Sequence, residues 1–114
     1  MRRISFGLTK LQLLEGTKDV TRRNGWLFAK QGDVYLAVNK VMGFRRPERA
    51  VEYGTVKVLE VRREPLNAIT RDDVRREGFP GKSPEWFVDF YTRAMRCLPT
   101  QPVTRIEFRF RKNR

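Results

Sequence analysis

The groups available for chemistry in this chain are mainly cationic: its 114 residues include 25 Lys and Arg, 13 Asp and Glu, one Cys and no His. Without imidazole, Ser-His-Asp, Cys-His and paired-His acid–base mechanisms are excluded, as are zinc sites built from the usual Cys and His ligands. The lone Cys97 cannot close an internal disulfide, and with no His to lower its pKa it reads as a packing residue rather than a nucleophile. Acid–base work is left to Lys, Glu or Tyr, and anion recognition to guanidinium groups.

Guanidinium groups are abundant. Arg outnumbers Lys by 18 to seven, and five Arg-Arg pairs occur, at positions 2–3, 22–23, 45–46, 62–63 and 75–76. Arg suits bidentate phosphate recognition and stacking on bases, although in a strand adjacent residues point to opposite faces, so each pair offers one side chain to a given ligand. The formal net charge of +12 favours a polyanionic partner. A GC-rich genome or the ion-pair networks of a thermophile produce the same Arg bias, and the sequence leaves these open. The charge is uneven: residues 1–25 carry +4, 26–65 carry +3, 66–98 carry +1 and 99–114 carry +4. If the terminal segments lie side by side, the two basic ends merge into one face. Aromatics sit among these cations, Trp26 near Arg23 and Phe44 beside Arg45 and Arg46, where they could stack on unpaired bases. Both also read as core residues, Trp26 more strongly than Phe44.

These residues need a scaffold, and the composition supplies one. With 39% hydrophobic and 11% aromatic residues, the chain can bury enough surface to fold, and its length fits a single domain over 1–114. No apolar run approaches the roughly 18 residues of a membrane span, and the first residues lack a signal peptide's apolar centre, so a cytoplasmic location is expected. Arg3–Phe6 alternates as a short strand. Thr9 is placed to cap a helix with Leu11 and Leu14 on one face, stopped by Gly16. Lys18–Arg23 reads as a strand, Asn24-Gly25 as a turn, Trp26–Phe28 as extended, Gly32-Asp33 as a second turn and Val34–Val38 as a strand. Gly43–Pro47 is a loop. Thr55–Arg62 is a strand whose apolar parity slips between Val58 and Leu59, which requires a bulge or cover on both faces. Thr70 with Asp73 opens a short helix ended by Gly78, and Ser83-Pro84 opens another whose Phe87, Phe90, Tyr91 and Ala94 form an apolar core stripe. In the last strand, Val103–Arg111, Ile106, Phe108 and Phe110 point inward and Arg105, Arg109 and Arg111 outward. The expected class is α+β, a small mixed or antiparallel β-barrel with about three peripheral helices.

The segment Gly16-Thr17-Lys18-Asp19-Val20-Thr21-Arg22-Arg23 resembles the Gly-x-Lys-x-x-x-x-Arg motif of the ASCH domain, matched at Gly16, Lys18 and Arg23. Gly32-Asp33, Glu77-Gly78-Phe79 and Ile106-Glu107-Phe108 resemble later elements of that family, so the likeness spans nearly the whole chain. The resemblance implies a PUA-like barrel associated with RNA. One branch of the family hydrolyses acetylcytidine to cytidine, and its implicated trio corresponds here to Lys18, Thr21 and Glu77. The implied roles are Lys18 as base, Thr21 as nucleophile and Glu77 as proton shuttle. Since Lys18 and Thr21 are three apart, a regular strand would point them to opposite faces, and a turn or bulge after Gly16 is needed to join them.

The leading expectation is an RNA- or nucleotide-binding domain with a basic cleft. Its contacts would be Lys18, Arg22, Arg23, Trp26, Phe44, Arg45, Arg46, Arg105, Arg109 and Arg111. No metal and no cofactor is expected, and a protein partner is left open. The alternatives are a small amidohydrolase acting on a modified nucleoside such as acetylcytidine, or a weak ribonuclease.

Overall fold

The computed structural model describes residues 1–113. It contains the strands β1 (Arg3–Ser5), β2 (Val20–Arg23), β3 (Val34–Val38), β4 (Glu52–Pro65) and β5 (Pro102–Lys112), and the helices α1 (Lys10–Glu15), α2 (Arg71–Arg76) and α3 (Pro84–Met95). The strands form one mixed sheet in the order β1-β3-β4-β5-β2, with β1 parallel to β3 and the other pairings antiparallel.

The helix ends follow their sequence signals. Thr70 Oγ1 accepts from the Asp73 amide at 3.1 Å, and Ser83 Oγ accepts from the Trp86 amide at 3.0 Å with Pro84 in the first helical turn. Gly16 ends α1 in a left-handed conformation, φ +81°. Thr9 precedes α1 without a side-chain cap bond, and the buried face of that helix is set by Leu13, whereas Leu11 is 65% exposed. The expected pairing of Leu11 with Leu14 is thus replaced by Leu13 with the partly buried Leu14.

Two further expectations are corrected at β2. The strand begins at Val20 rather than Lys18, because the Thr17 and Lys18 amides both donate to the Gln12 carbonyl and hold the chain in a turn. Trp26–Phe28 is not extended: Gly25 and Trp26 both have positive φ, and the Ala29 amide closes a turn onto the Trp26 carbonyl. In β4 the pairing with β5 shifts register between Val58 and Glu60, so the parity slip marks an irregularity of the bulge type.

Both sheet faces are covered. On one face, Ile4, Phe6, Tyr35, Val56, Ile106 and Phe108 pack with Leu13 of α1. On the other, Leu66, Ile69, Val74 and Val103 pack with Phe87 and Tyr91 of α3. This second cover corrects the reading of β5. Arg109 and Arg111 are exposed as alternation requires, but Arg105 shares its face with Val103 and is only 3% exposed. It faces α2, where Asp73 neutralises it. Arg105 is therefore not a surface contact.

The sheet does not close into a barrel. Its two edge strands, β1 and β2, have three and four residues and no backbone pairing with each other. A side chain spans the seam instead: Arg23 Nη2 donates to the Ser5 carbonyl at 2.6 Å. No helix among the described residues is long and apolar enough to cross a membrane.

Candidate functional site

The open seam borders a cavity of about 420 Å³. Ser5 and Phe6 enter it from β1 and its exit, and Thr21, Arg22 and Arg23 enter from β2. Lys18 and Glu77 complete a polar floor, and Phe79, Phe87, Phe90 and Tyr91 form an aromatic wall. The exposed apolar side chains Leu8, Met42 and Met95 lie at its rim.

Local backbone geometry brings Lys18 to the floor. Because it precedes β2, strand alternation does not separate it from Thr21, and both line the same cavity. Gly78 makes room for the approach. At φ +106°, a Cβ there would lie 2.6 Å from the Gln12 side chain and 3.5 Å from Lys18 Cβ. The end of α2 thus packs directly on α1 and the turn after it, placing Glu77 beside Lys18.

The floor is an ion-pair network. Lys18 Nζ lies 2.5 Å from Glu77 Oε1 and 3.1 Å from the Glu77 carbonyl oxygen. Arg22 donates through Nη1 to Glu77 Oε2 at 3.1 Å, and through Nη2 to Asp73 Oδ2 at 2.6 Å and Glu64 Oε2 at 3.0 Å. Arg105 grips Asp73 through Nε at 2.7 Å and Nη2 at 3.1 Å. Beside this network, Thr21 Oγ1 accepts from Arg23 Nε at 3.1 Å, and the Arg23 guanidinium lies over the Phe6 ring, 4.9 Å from its centroid. The Tyr91 hydroxyl donates to Asn24 Oδ1 at 2.8 Å.

Burial and charge act in opposition here. Burial pushes the Lys18 amine below its ordinary pKa, with Arg23 and Arg22 adding to the effect, and Glu77 only partly opposes it. Arg23 is likewise pushed down, to about 10, by burial against the attraction of Glu77. Burial would raise the Asp73 carboxyl, but hydrogen bonds and charge from Arg105 and Arg22 outweigh it and hold Asp73 well below the usual carboxylate range. A Lys with a depressed pKa, a buried hydroxyl and a carboxylate in one cavity have the chemical capacity for proton transfer.

Of the residues singled out in the sequence, Lys18, Thr21, Arg22, Arg23 and Glu77 meet in this cavity. Trp26 instead packs against the core, edge-on to Tyr35 at 5.4 Å. Phe44, Arg45 and Arg46 lie in the loop after β3. Phe44 is half-buried under Lys40 Nζ at 5.2 Å, and both Arg residues are exposed. That loop reaches the cavity through Lys40, Val41 and Met42. Arg109 and Arg111 are exposed on β5 outside the cavity. The merging of terminal charges is partial: β2 pairs with β5, placing Arg22 opposite Arg105, but carboxylates absorb both cations. The stripe of α3 packs as the expected core, and the same periodicity also lines the cavity, since Phe87 and Tyr91 do both.

No family model matches the chain, and no curated protein matches it in sequence. Solved structures do match. A crystal structure of an Enterococcus faecalis V583 protein of family DUF984 superposes with a TM-score of 0.72 at 12% identity, over 98% of this chain and 77% of that one. The ASCH domain from Lactobacillus crispatus JV V101 gives 0.67 at 15% identity, over 98% of this chain and 80% of that one. The ASCH structure from Zymomonas mobilis gives 0.58 at 16% identity, over 95% of this chain and 64% of that one. In topology and nearly full-length superposition, the chain has the fold of ASCH-domain proteins.

Proposed function

We propose that the seam cavity binds one nucleotide, presented free or as an unpaired residue of RNA. The observation carrying this reading is the pairing of an aromatic wall with a cationic floor in a space of about 420 Å³. The wall offers ring faces to a base, while Arg23 offers charge to a phosphate and Lys18 a donor to a polar edge. The exposed Arg45, Arg46, Arg109 and Arg111 would add backbone contacts outside the cavity, with Phe44 beside the loop pair. Calorimetric titration with single-stranded RNA oligonucleotides tests the reading: binding should weaken steeply as salt rises. Salt-independent binding, or none, would count against it.

A second reading, hydrolysis of the amide of acetylcytidine, is favoured by the meeting of Lys18, Thr21 and Glu77 in the same cavity. In it, the Thr21 oxygen attacks the acetyl carbonyl carbon while its proton passes to the Lys18 amine, once that amine has handed its own proton to Glu77. The amine leaves as cytidine on taking that proton, and water then releases acetate from Thr21. Glu77 holds Lys18 in place and shuttles the proton. Chromatographic detection of cytidine tests it. Thr21→Val should abolish release, and equal rates in wild type and Thr21→Val would remove Thr21 as nucleophile.

A further inference from the structure

Four cations line the cavity, Lys18, Arg22, Arg23 and Lys40. Three are neutralised within the chain: Lys18 by Glu77, Arg22 by Glu64, Asp73 and Glu77, and Lys40 by Glu48. Arg23 has no carboxylate within salt-bridge reach among the described residues. Its acceptors are neutral, the Thr21 hydroxyl and the Ser5 carbonyl, and a third contact is the face of Phe6. These contacts use Nε and one hydrogen of Nη2, so Nη1 and the second Nη2 hydrogen are free to donate. The guanidinium is therefore held in one orientation across the seam, with donors left over and no carboxylate in contact, Glu77 attracting it only from beyond salt-bridge reach. Leaving a charge partly desolvated with no carboxylate in contact is costly, and an entering anion reduces that cost.

We propose that Arg23 makes the cavity selective for a nucleotide with one negative charge on its phosphate, the form found in a phosphodiester of RNA. The inference rests on the nucleotide-binding reading and narrows it to a ligand class. A second negative charge would meet only cations that already have carboxylate partners, and it would approach Glu77, which lines the same floor. In a partly desolvated site that repulsion is weakly screened. Nucleoside diphosphates and triphosphates are therefore disfavoured. A terminal monophosphate, whose second pKa is about 6, enters best after taking up a proton.

The experiment is calorimetric titration of the full chain with four probes in both a cytidine and an adenosine series. They are the nucleoside, its 5′-phosphate methyl diester, the 5′-monophosphate and the 5′-diphosphate. The diester should bind at least about tenfold more tightly than the nucleoside, as expected for hydrogen bonds to a charged group. The diphosphate should bind no better than the diester, and the monophosphate should tighten as pH falls through about 6 while the diester does not. Arg23→Gln should bring diester and nucleoside to equal affinity, whereas Arg23→Lys, which retains the charge, should preserve part of the preference. A melting curve of each variant separates loss of binding from loss of fold. Equal affinity of the wild-type chain for nucleoside and diester would overturn the inference while leaving a nucleoside-binding cavity. Tighter binding of the diphosphate than of the diester would overturn the single-charge selectivity. Failure of every probe to bind would remove the nucleotide reading and this inference together.

Discussion

Lys18 Nζ and Glu77 Oε1 meet at 2.5 Å across 59 positions of sequence, with both side chains 3% exposed. The contact joins the turn before β2 to the end of α2, and the Glu77 carbonyl accepts from the same ammonium. Arg22 holds the other carboxylate oxygen. Glu77 thus ties two consecutive pieces of the Gly16–Arg23 segment to one helix end, so the site's geometry and the fold's stability depend on the same bonds.

That asymmetry predicts unequal costs for the two partners. Glu77→Gln leaves both Lys18 and Arg22 short of a carboxylate, and should destabilise the fold by about 3–5 kcal/mol, the range for breaking buried pairs. Lys18→Met leaves Glu77 paired with Arg22 and should cost less, about 1–2 kcal/mol. Urea denaturation of the two variants checks the order, and a larger loss in Lys18→Met would contradict it.

Asp73 predicts the acid limb of stability. Its folded pKa lies below the unfolded carboxylate value, because bonds from Arg105 and Arg22 outweigh the effect of burial. Its contribution is therefore fully present above the unfolded pKa of about 3.9 and is lost as pH falls from there through the folded value. Glu64, also held below its ordinary value, acts in the same direction. The melting temperature should hold between about pH 7 and 5 and drop below about 4. Asp73→Asn should start lower and show a shallower acid decline. A wild-type drop centred well above pH 5 would point to other groups.

The parts of the fold legible in sequence were those fixed by local chemistry. Thr70 and Ser83 cap their helices because their hydroxyls lie next to free amides, and Gly16 stops α1 because it adopts a left-handed conformation. The irregularity at Val58–Glu60 showed as a parity slip because one extra residue moves every later side chain to the other face. Long-range pairing was not legible. Arg105 follows the alternation of an outward residue, yet α2 and α3 cover that face, and only the tertiary position of Asp73 decides that it is buried. The site divided in the same way. The motif pointed to Lys18 and Arg23, and the family resemblance to Thr21 and Glu77, but the wall formed by Phe79 and α3 arises from how the helix lies over the open seam.

The contrast along β5 yields a prediction that separates fold from binding. Arg105→Met removes a bidentate partner of buried Asp73 and leaves Arg22 as its nearest cation, so it should cost on the order of 3 kcal/mol. Arg109→Ala and Arg111→Ala remove exposed side chains and should change stability by less than about 0.5 kcal/mol. If these two contact RNA backbone, each should lower the salt dependence of oligonucleotide binding by roughly one phosphate contact. Chemical denaturation and salt titration of the same three variants measure both effects. A destabilised Arg109→Ala, or an Arg105→Met as stable as wild type, would reverse the assignment of faces.

Gly78 offers the sharpest test of how the site is positioned. An added Cβ would lie 2.6 Å from Cβ and Cγ of Gln12, on a backbone with φ +106° that L residues rarely adopt. The Gln12 carbonyl accepts the Thr17 and Lys18 amides, so pushing Gln12 aside disturbs the turn that aims Lys18 at Glu77. Gly78→Ala should therefore destabilise the fold by about 1–3 kcal/mol through strain and overpacking. It should also weaken cavity binding although no cavity-lining side chain has changed. Gln12→Ala removes the clashing atoms beyond Cβ, and combined with Gly78→Ala it should recover part of the lost stability, since the two residues are in contact and their effects do not add. Strictly additive losses in the double variant would show that the Gln12 side chain beyond Cβ carries none of the strain.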